Sequence, residues 1–119
     1  MTRARQAVGT LGEQAAAASL TEQGYTILHM NYRCRNGELD IICEKNGILV
    51  FCEVKTRTSN RFGLPEEAVT IAKRRRIRKL ALEYLQRESR RARQLRFDVI
   101  SVAMTGGQVG ELRHLVNAF

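Results

Sequence analysis

The chain has 119 residues, 44% of them hydrophobic, and a formal net charge of +8. Such a chain makes one globular domain with a real core, is too short for two domains, and is too apolar for disorder. No apolar run approaches the ~20 residues of a membrane-spanning helix, and Glu13 and Gln14 interrupt what would otherwise imitate a secretory leader behind Arg3 and Arg5, so a cytoplasmic protein with no membrane partner is expected.

Residues 4–23 predict a helix, closed by Gly24 where positive φ costs glycine little. Its small residues, among them Gly9, Gly12 and Ala15–Ala18, allow close packing on a sheet. Tyr25–Arg33 predicts a strand, and residues 37–55 predict a hairpin about Asn46-Gly47, the pair best suited to the two positive φ values of a type I′ turn. Thr56–Gly63 is polar and loop-like. Pro65 suits the first turn of a second helix, with Glu66 and Glu67 favourable at its N-terminus. That helix runs to Arg87 on a stripe of Val69, Lys73, Ile77, Leu80 and Tyr84, and the basic tail Glu88–Gln94 is expected to fray. Arg96–Met104 and Gln108–Val116 predict two last strands about Gly106-Gly107. The order αβββαββ implies an α/β domain, a mixed central sheet of about five strands flanked by helices.

Charge is unevenly placed. Between Thr70 and Arg96 eleven Lys or Arg stand against Glu83 and Glu88, an excess of +9, whereas the rest of the chain sums to −1. A concentrated basic surface suggests nucleic acid first and an anionic membrane second; a solvated helix that aids solubility is the plain alternative. Arg74, Arg75, Arg78 and Lys79 are the candidates on the helix for gripping a phosphate backbone, and Arg57 and Arg61 the candidates in the loop beyond the hairpin.

A two-residue turn sets the hairpin register: Lys45 with Ile48, Glu44 with Leu49, Ile42 with Phe51, Asp40 with Glu53, and Glu38 with Lys55. Alternation puts all four of the last residues on one face. Two carboxylates directly opposite are destabilising unless a cation lies between them, and Mg²⁺ or Mn²⁺ is the economical choice, since hard cations take one or two carboxylates and leave the rest to water and phosphate. Asp40 and Glu53 would hold the ion, with the Val54 carbonyl as a third oxygen. Lys55 would orient the nucleophile and stabilise the phosphoryl transition state. The plain alternative is a solvent-facing sheet with a Glu38–Lys55 ion pair, which leaves Asp40 opposite Glu53 unexplained.

Glu13 lies on the packing stripe of the first helix with Gly9, Ala16, Ala17 and Leu20. It serves beside the metal, directly or through water, or it caps or lies exposed at the stripe's margin. Lys73 interrupts the second stripe, either to contact phosphate or to snorkel outward. Asp98 is expected as a buried hydrogen-bonded acid, not a ligand; His29 and His114 suggest no site. Cys34, Cys43 and Cys52 lack metal-ligand spacing, and the latter two belong on the face opposite the acids as free buried thiols. No phosphate-binding loop, dinucleotide fingerprint or nucleophile elbow is present.

Gly9-x-x-Gly12-Glu13, Gly24-Tyr25-x-Ile27-Leu28, Asn31-x-Arg33, Gly37-Glu38-Leu39-Asp40-Ile41-Ile42, Phe51-x-Glu53-Val54-Lys55-x-Arg57, Phe62-Gly63-x-Pro65-x-x-Ala68-Val69, Lys73, Arg96-Phe97-Asp98-Val99 and Asn117-Ala118-Phe119 occur in order. Together they resemble the YraN-like family of bacterial proteins over nearly the whole chain. That family is similar to archaeal Holliday-junction resolvases and the PD-(D/E)XK nuclease superfamily, which implies a restriction-endonuclease-like fold. The resemblance places Asp40, Glu53 and Lys55 on the superfamily's D…ExK, Glu13 on the N-terminal helix acid, and Lys73 on a basic or amide position of the following helix. The superfamily's proline before the aspartate is replaced by Leu39. These features imply a Mg²⁺- or Mn²⁺-dependent endonuclease acting on DNA, on branched or single-stranded structures. A homodimer fits an enzyme that must cut two strands. The alternatives are a nucleic-acid-binding protein that cuts nothing, and an interaction protein whose basic face meets an acidic partner.

Overall fold

The structure, a computed structural model, describes residues 3–58 and 69–119. Two helices and five strands follow one another as α1 (Arg3–Glu22), β1 (Thr26–Cys34), β2 (Gly37–Lys45), β3 (Ile48–Arg57), α2 (Ile71–Arg87), β4 (Gln94–Thr105) and β5 (Gln108–Leu115). The strands form one sheet in chain order, antiparallel except for the parallel pair β3–β4. Parallel neighbours need a crossover, and α2 lies in the segment that makes it. The α/β class and the order αβββαββ are those expected from the sequence. Neither described helix is long and apolar enough to cross a membrane.

β3 is central and covered on both faces, so Leu49 to Cys52 are all buried and the strand has no polar stripe there. One face packs Ile41, Cys43, Val50, Cys52, Ile100 and Val102 against Ala16 and Leu20 of α1. The other packs Ile42, Leu49, Phe51 and Val99 against Ile77, Leu80, Ala81 and Tyr84 of α2. Asn46 and Gly47 take φ of 54° and 77°, as a type I′ turn requires, and Lys45↔Ile48, Glu44↔Leu49 and Ile42↔Phe51 pair in the expected register.

Two expectations are corrected. The second helix does not run unbroken from Pro65; that residue, with Glu66 and Glu67, lies outside the described residues, and the helix begins at Ile71. Thr70 is its N-cap, extended in backbone, with its side chain accepting from the Lys73 N–H. Val69 is buried just ahead of the cap, so it continues the apolar stripe without being helical. Nor does the basic tail fray. The Arg90 N–H donates to the Leu85 carbonyl, the Arg93 N–H to Gly47, and the Arg93 guanidinium to Asn46, which ties the start of β4 to the hairpin turn.

α1 lies close against β3 at Gly12. A Cβ there would collide with Thr56 Oγ1 and stand 3.2 Å from its Cγ2, so rotating Thr56 exchanges one clash for another. Gly12→Ala is therefore expected to lower stability by about 1–3 kcal/mol, and Thr56→Ala in the same chain to recover part of the loss, as denaturant unfolding of the four variants of the cycle would show.

Candidate functional site

The β2–β3 ladder runs from the turn to Ile41↔Cys52 and stops one residue short of the two acids. At that point Asp40 replaces the backbone: its Oδ2 accepts the Val54 N–H at 2.8 Å. A strand residue's N–H and C=O leave the same edge, so the Val54 carbonyl faces the same gap. On the other side of β2 the ladder is also open here. Met30↔Ile41 and Tyr32↔Leu39 pair on either side, while Asn31 between them takes φ of 53°.

Glu53 is buried, with 8% of its surface exposed. Its Oε1 receives Lys73 Nζ of α2 at 2.6 Å and Lys55 Nζ of β3 at 3.4 Å. Lys73 thus neither snorkels nor points away; it turns inward to the acid. Glu38, expected to pair with Lys55, lies beyond the end of the β2–β3 ladder and sits 3.9 Å from Arg33 of β1, an exposed pair of little energetic weight. Glu13, half-buried on α1, is brought to the same end of the sheet because Gly12 lets the helix in against Thr56, the residue after Lys55.

Electrostatics follow from this crowding. Burial, then the neighbouring Glu53 carboxylate, push Asp40 up to about 7. Burial also raises Glu13, against a hydrogen bond from Asn31, and the charges of Glu38 and Glu53 add to the rise. Burial lowers Lys55. It works against the charge of Lys73 too, but the bond to Glu53 prevails and the net shift is upward. Two acids and two ammonium groups therefore share one pocket of charge, with the second acid poorly compensated. That uncompensated carboxylate and its hard oxygen donors fit a small divalent cation. Glu13 does not close a three-carboxylate cage, since among the described residues it forms no group with Asp40 and Glu53 in which all ligand atoms lie within 4.8 Å.

The residues assigned to nucleic acid divide. Arg74 donates from Nε to the Val69 carbonyl and lies 6.0 Å from the Phe119 ring centre, and Arg78 lies 5.6 Å from that of Phe97, so both cover the aromatic end of the core. Arg75 and Lys79 are exposed on the outer face of α2. Arg57 is half-buried at the end of β3, and Arg61 lies outside the described residues.

Elsewhere, Cys52, Asp98 and His114 bring a thiol sulfur, a carboxylate oxygen and a ring nitrogen within 4.8 Å of one another. Asp98 is fully buried, as expected, but His114 joins it, which sequence spacing did not suggest. Both Asp98 oxygens are taken. Oδ1 accepts from Arg96 Nε at 2.9 Å and the Asn117 N–H at 2.9 Å; Oδ2 accepts from the other Arg96 nitrogen at 2.8 Å and lies 2.7 Å from His114 Nε2. The same Arg96 nitrogen donates to the Tyr25 hydroxyl at 2.6 Å. A guanidinium already holds the place a metal would take, so this cluster is a bracket joining Tyr25, just ahead of β1, to β4, β5 and the C-terminal residues. Cys43 and Cys52 are buried beside it with sulfurs 4.0 Å apart.

Burial works against the Asp98 charge, but His114, Arg96 and Asn117 outweigh it and hold the carboxyl below the usual range. Its contribution to stability is present above the unfolded pKa and lost only as pH falls through the lower folded value. Asp98→Asn leaves Arg96 buried without its counter-charge and should cost about 3–5 kcal/mol near neutral pH, measurable by thermal or urea unfolding. Asp40 has the opposite sign. Its raised pKa weakens the fold as pH rises from about 4 to about 7. Asp40→Asn should therefore be more stable than the parent at pH 8, by on the order of 2 kcal/mol, with no difference at pH 4; urea melts at the two pH values decide it.

Residues 12–102 match the model of the Uncharacterised protein family UPF0102. A UPF0102 protein of Syntrophomonas wolfei is 46% identical over 112 residues, covering 94% of this chain and 96% of its own. One from Symbiobacterium thermophilum is 51% identical over 106 residues, covering 89% and 88%. Another, from Pelotomaculum thermopropionicum, is 42% identical across the full length of both chains. With a match over most of its length and relatives of the same size, the chain belongs to the UPF0102 family, the YraN-like group its motifs resemble.

Proposed function

We propose that the chain is a Mg²⁺- or Mn²⁺-dependent endonuclease that hydrolyses phosphodiester bonds of DNA, with branched or single-stranded structures as its substrates. The observation that carries this reading is the half-buried Asp40 beside the buried Glu53 at the open end of the β2–β3 ladder, next to Lys55 and Lys73. Asp40, Glu53 and the Val54 carbonyl would hold the cation, with Glu13 acting through water. When bound, the ion would neutralise the acid pair and polarise the scissile phosphate.

The chain's own groups supply the rest. Lys55 lies within reach of Glu53 and has its pKa lowered by burial, which suits a group that orients the attacking water and can exchange a proton with it. Lys73 keeps its charge and stabilises the extra negative charge that develops on the phosphoryl oxygens. Arg75 and Lys79, two and six residues along α2 from Lys73 and exposed on the helix surface, hold the backbone of the substrate. The test is incubation with junction, flap, single-stranded and duplex DNA in Mg²⁺ or Mn²⁺. Cleavage should fall by about 100-fold or more in Asp40→Ala and Lys55→Ala; cleavage unchanged in both would come from a contaminant and end the assignment.

A second reading has its own support. The 2.6 Å ion pair from Lys73 to Glu53 compensates the buried acid without any metal, as suits a nuclease-like fold that binds nucleic acid and cuts nothing. That protein would bind DNA with a steep salt dependence and turn over none of the substrates. Arg75→Glu with Lys79→Glu should weaken DNA binding at moderate salt on either reading, as fluorescence anisotropy would report; unaltered affinity would remove α2 from the interface.

A further inference from the structure

We propose that Lys73 is an exchangeable counter-ion of this site: its ammonium holds Glu53 until a divalent cation is taken up, and it then leaves that carboxylate and turns to the phosphate of the substrate. The inference rests on the reading of Asp40 and Glu53 as metal ligands.

Position and charge carry it. Glu53 Oε1 receives two ammonium groups, Lys73 Nζ at 2.6 Å and Lys55 Nζ at 3.4 Å. The shorter contact falls on the very carboxylate assigned to the cation, and an oxygen engaged at that distance has less charge to offer another partner. With both carboxyls ionised, Asp40 and Glu53 already balance Lys55 and Lys73, two acids against two bases. A doubly charged ion added to these four leaves positive charge in excess beside a Glu53 side chain only 9% exposed. Glu13, half-buried at the margin, offsets part of that excess and not all of it. Unbalanced charge at such depth is costly. Withdrawal of one ammonium relieves it.

The two lysines differ in their freedom to withdraw. Lys55 belongs to β3, two residues beyond Glu53, and pairs with Ser101 of β4, so its ammonium stays beside the acid. Lys73 reaches in from another layer. It stands in the first turn of α2 with its N–H bonded to the Thr70 side chain at 3.2 Å, which fixes the backbone and leaves the four-carbon stem to rotate. Its side chain is 25% exposed, so a path outward is open. The substrate backbone assigned to Arg75 lies only two residues along the same helix. A lysine suits the exchange, because a compact ammonium on a flexible stem carries its charge between two partners without the fixed fork of a guanidinium.

The experiment uses the full chain and two readouts. With ¹⁵N-labelled lysine, the Lys73 ammonium should give a slowly exchanging NMR signal, assigned by its loss in Lys73→Arg, and Mg²⁺ should abolish that protection. A Lys73 signal still protected in protein that calorimetry shows to hold Mg²⁺ would overturn the proposal and leave the nuclease reading intact. Independently, Mn²⁺ affinity measured by calorimetry should rise about 10-fold in Lys73→Met, an ordinary strength of coupling between two ligands. Mn²⁺ should also raise the melting temperature of that variant by more than it raises the parent's. A lysine that only supports the fold predicts a lower melting temperature with no gain in affinity, and Mn²⁺ affinity unchanged or weakened in Lys73→Met would refute the exchange. An equal gain in Lys55→Met would be the effect of removing charge alone and would count against it too. If neither the parent nor Lys73→Met binds Mn²⁺, the metal reading itself falls and takes the exchange with it. If only Lys73→Met binds the ion, the exchange stands, with the lysine as the stronger competitor.

Discussion

A carboxylate buried in the middle of a sheet must be compensated, and Glu53 governs how the two sides of this molecule meet. β3 carries it because the central strand is otherwise apolar on both faces. The compensation comes from Lys73, in the first turn of α2, at 2.6 Å. α2 is thus fixed to the sheet at its N-terminal end by charge and along its length by Ile77, Leu80, Ala81 and Tyr84. α1 is fixed from the opposite face by an absence of side chain at Gly12. One ionic and one steric constraint bring Glu13, Asp40, Glu53, Lys55 and Lys73 to the same end of the sheet.

Much of the fold was legible because its signals are local. Asn46-Gly47 admits essentially one hairpin geometry, and a two-residue turn then dictates the pairs along β2 and β3 from Lys45↔Ile48 as far as Ile41↔Cys52. The end of α1 at Gly24 and the tight turn at Gly106-Gly107 follow from the same freedom of positive φ. The start of α2 was not legible. Val69 and Lys73 are four apart, as in a helix, yet Val69 precedes the cap, and helical spacing cannot distinguish a first-turn residue from a buried one just outside it. The firmness of residues 88–94 depends on contacts with the hairpin turn, which no local pattern carries.

The site divides along the same line. Asp40, Glu53 and Lys55 lie on one hairpin, so register alone juxtaposes the acids and puts the lysine on their face. Lys73 showed itself only as a misplaced charge on an apolar stripe; its target lies twenty residues back in the chain. Asn31 gave less, because a left-handed residue inside a strand leaves no periodic trace. The basic count from Thr70 to Arg96 overstated the free charge. Arg74, Arg78, Arg90, Arg93 and Arg96 all have structural work against rings, carbonyls or acids, and composition cannot separate such arginines from those facing solvent. His114 and Asp98, sixteen residues apart, meet only because β4 and β5 fold back on each other.

The Asp40–Val54 bond has a consequence for anyone wishing to watch this site. An amide proton held by a carboxylate is shifted in resonance as the acceptor gains or loses charge, and it exchanges with solvent at a rate set by that bond. Val54 sits in the central strand between Glu53 and Lys55, and its amide is bonded to a side chain just past the point where the backbone ladder to β2 ends. The molecule therefore carries its own unlabelled sensor. One backbone signal registers the state of Asp40, and whatever neutralises that carboxylate is visible there without a probe being attached.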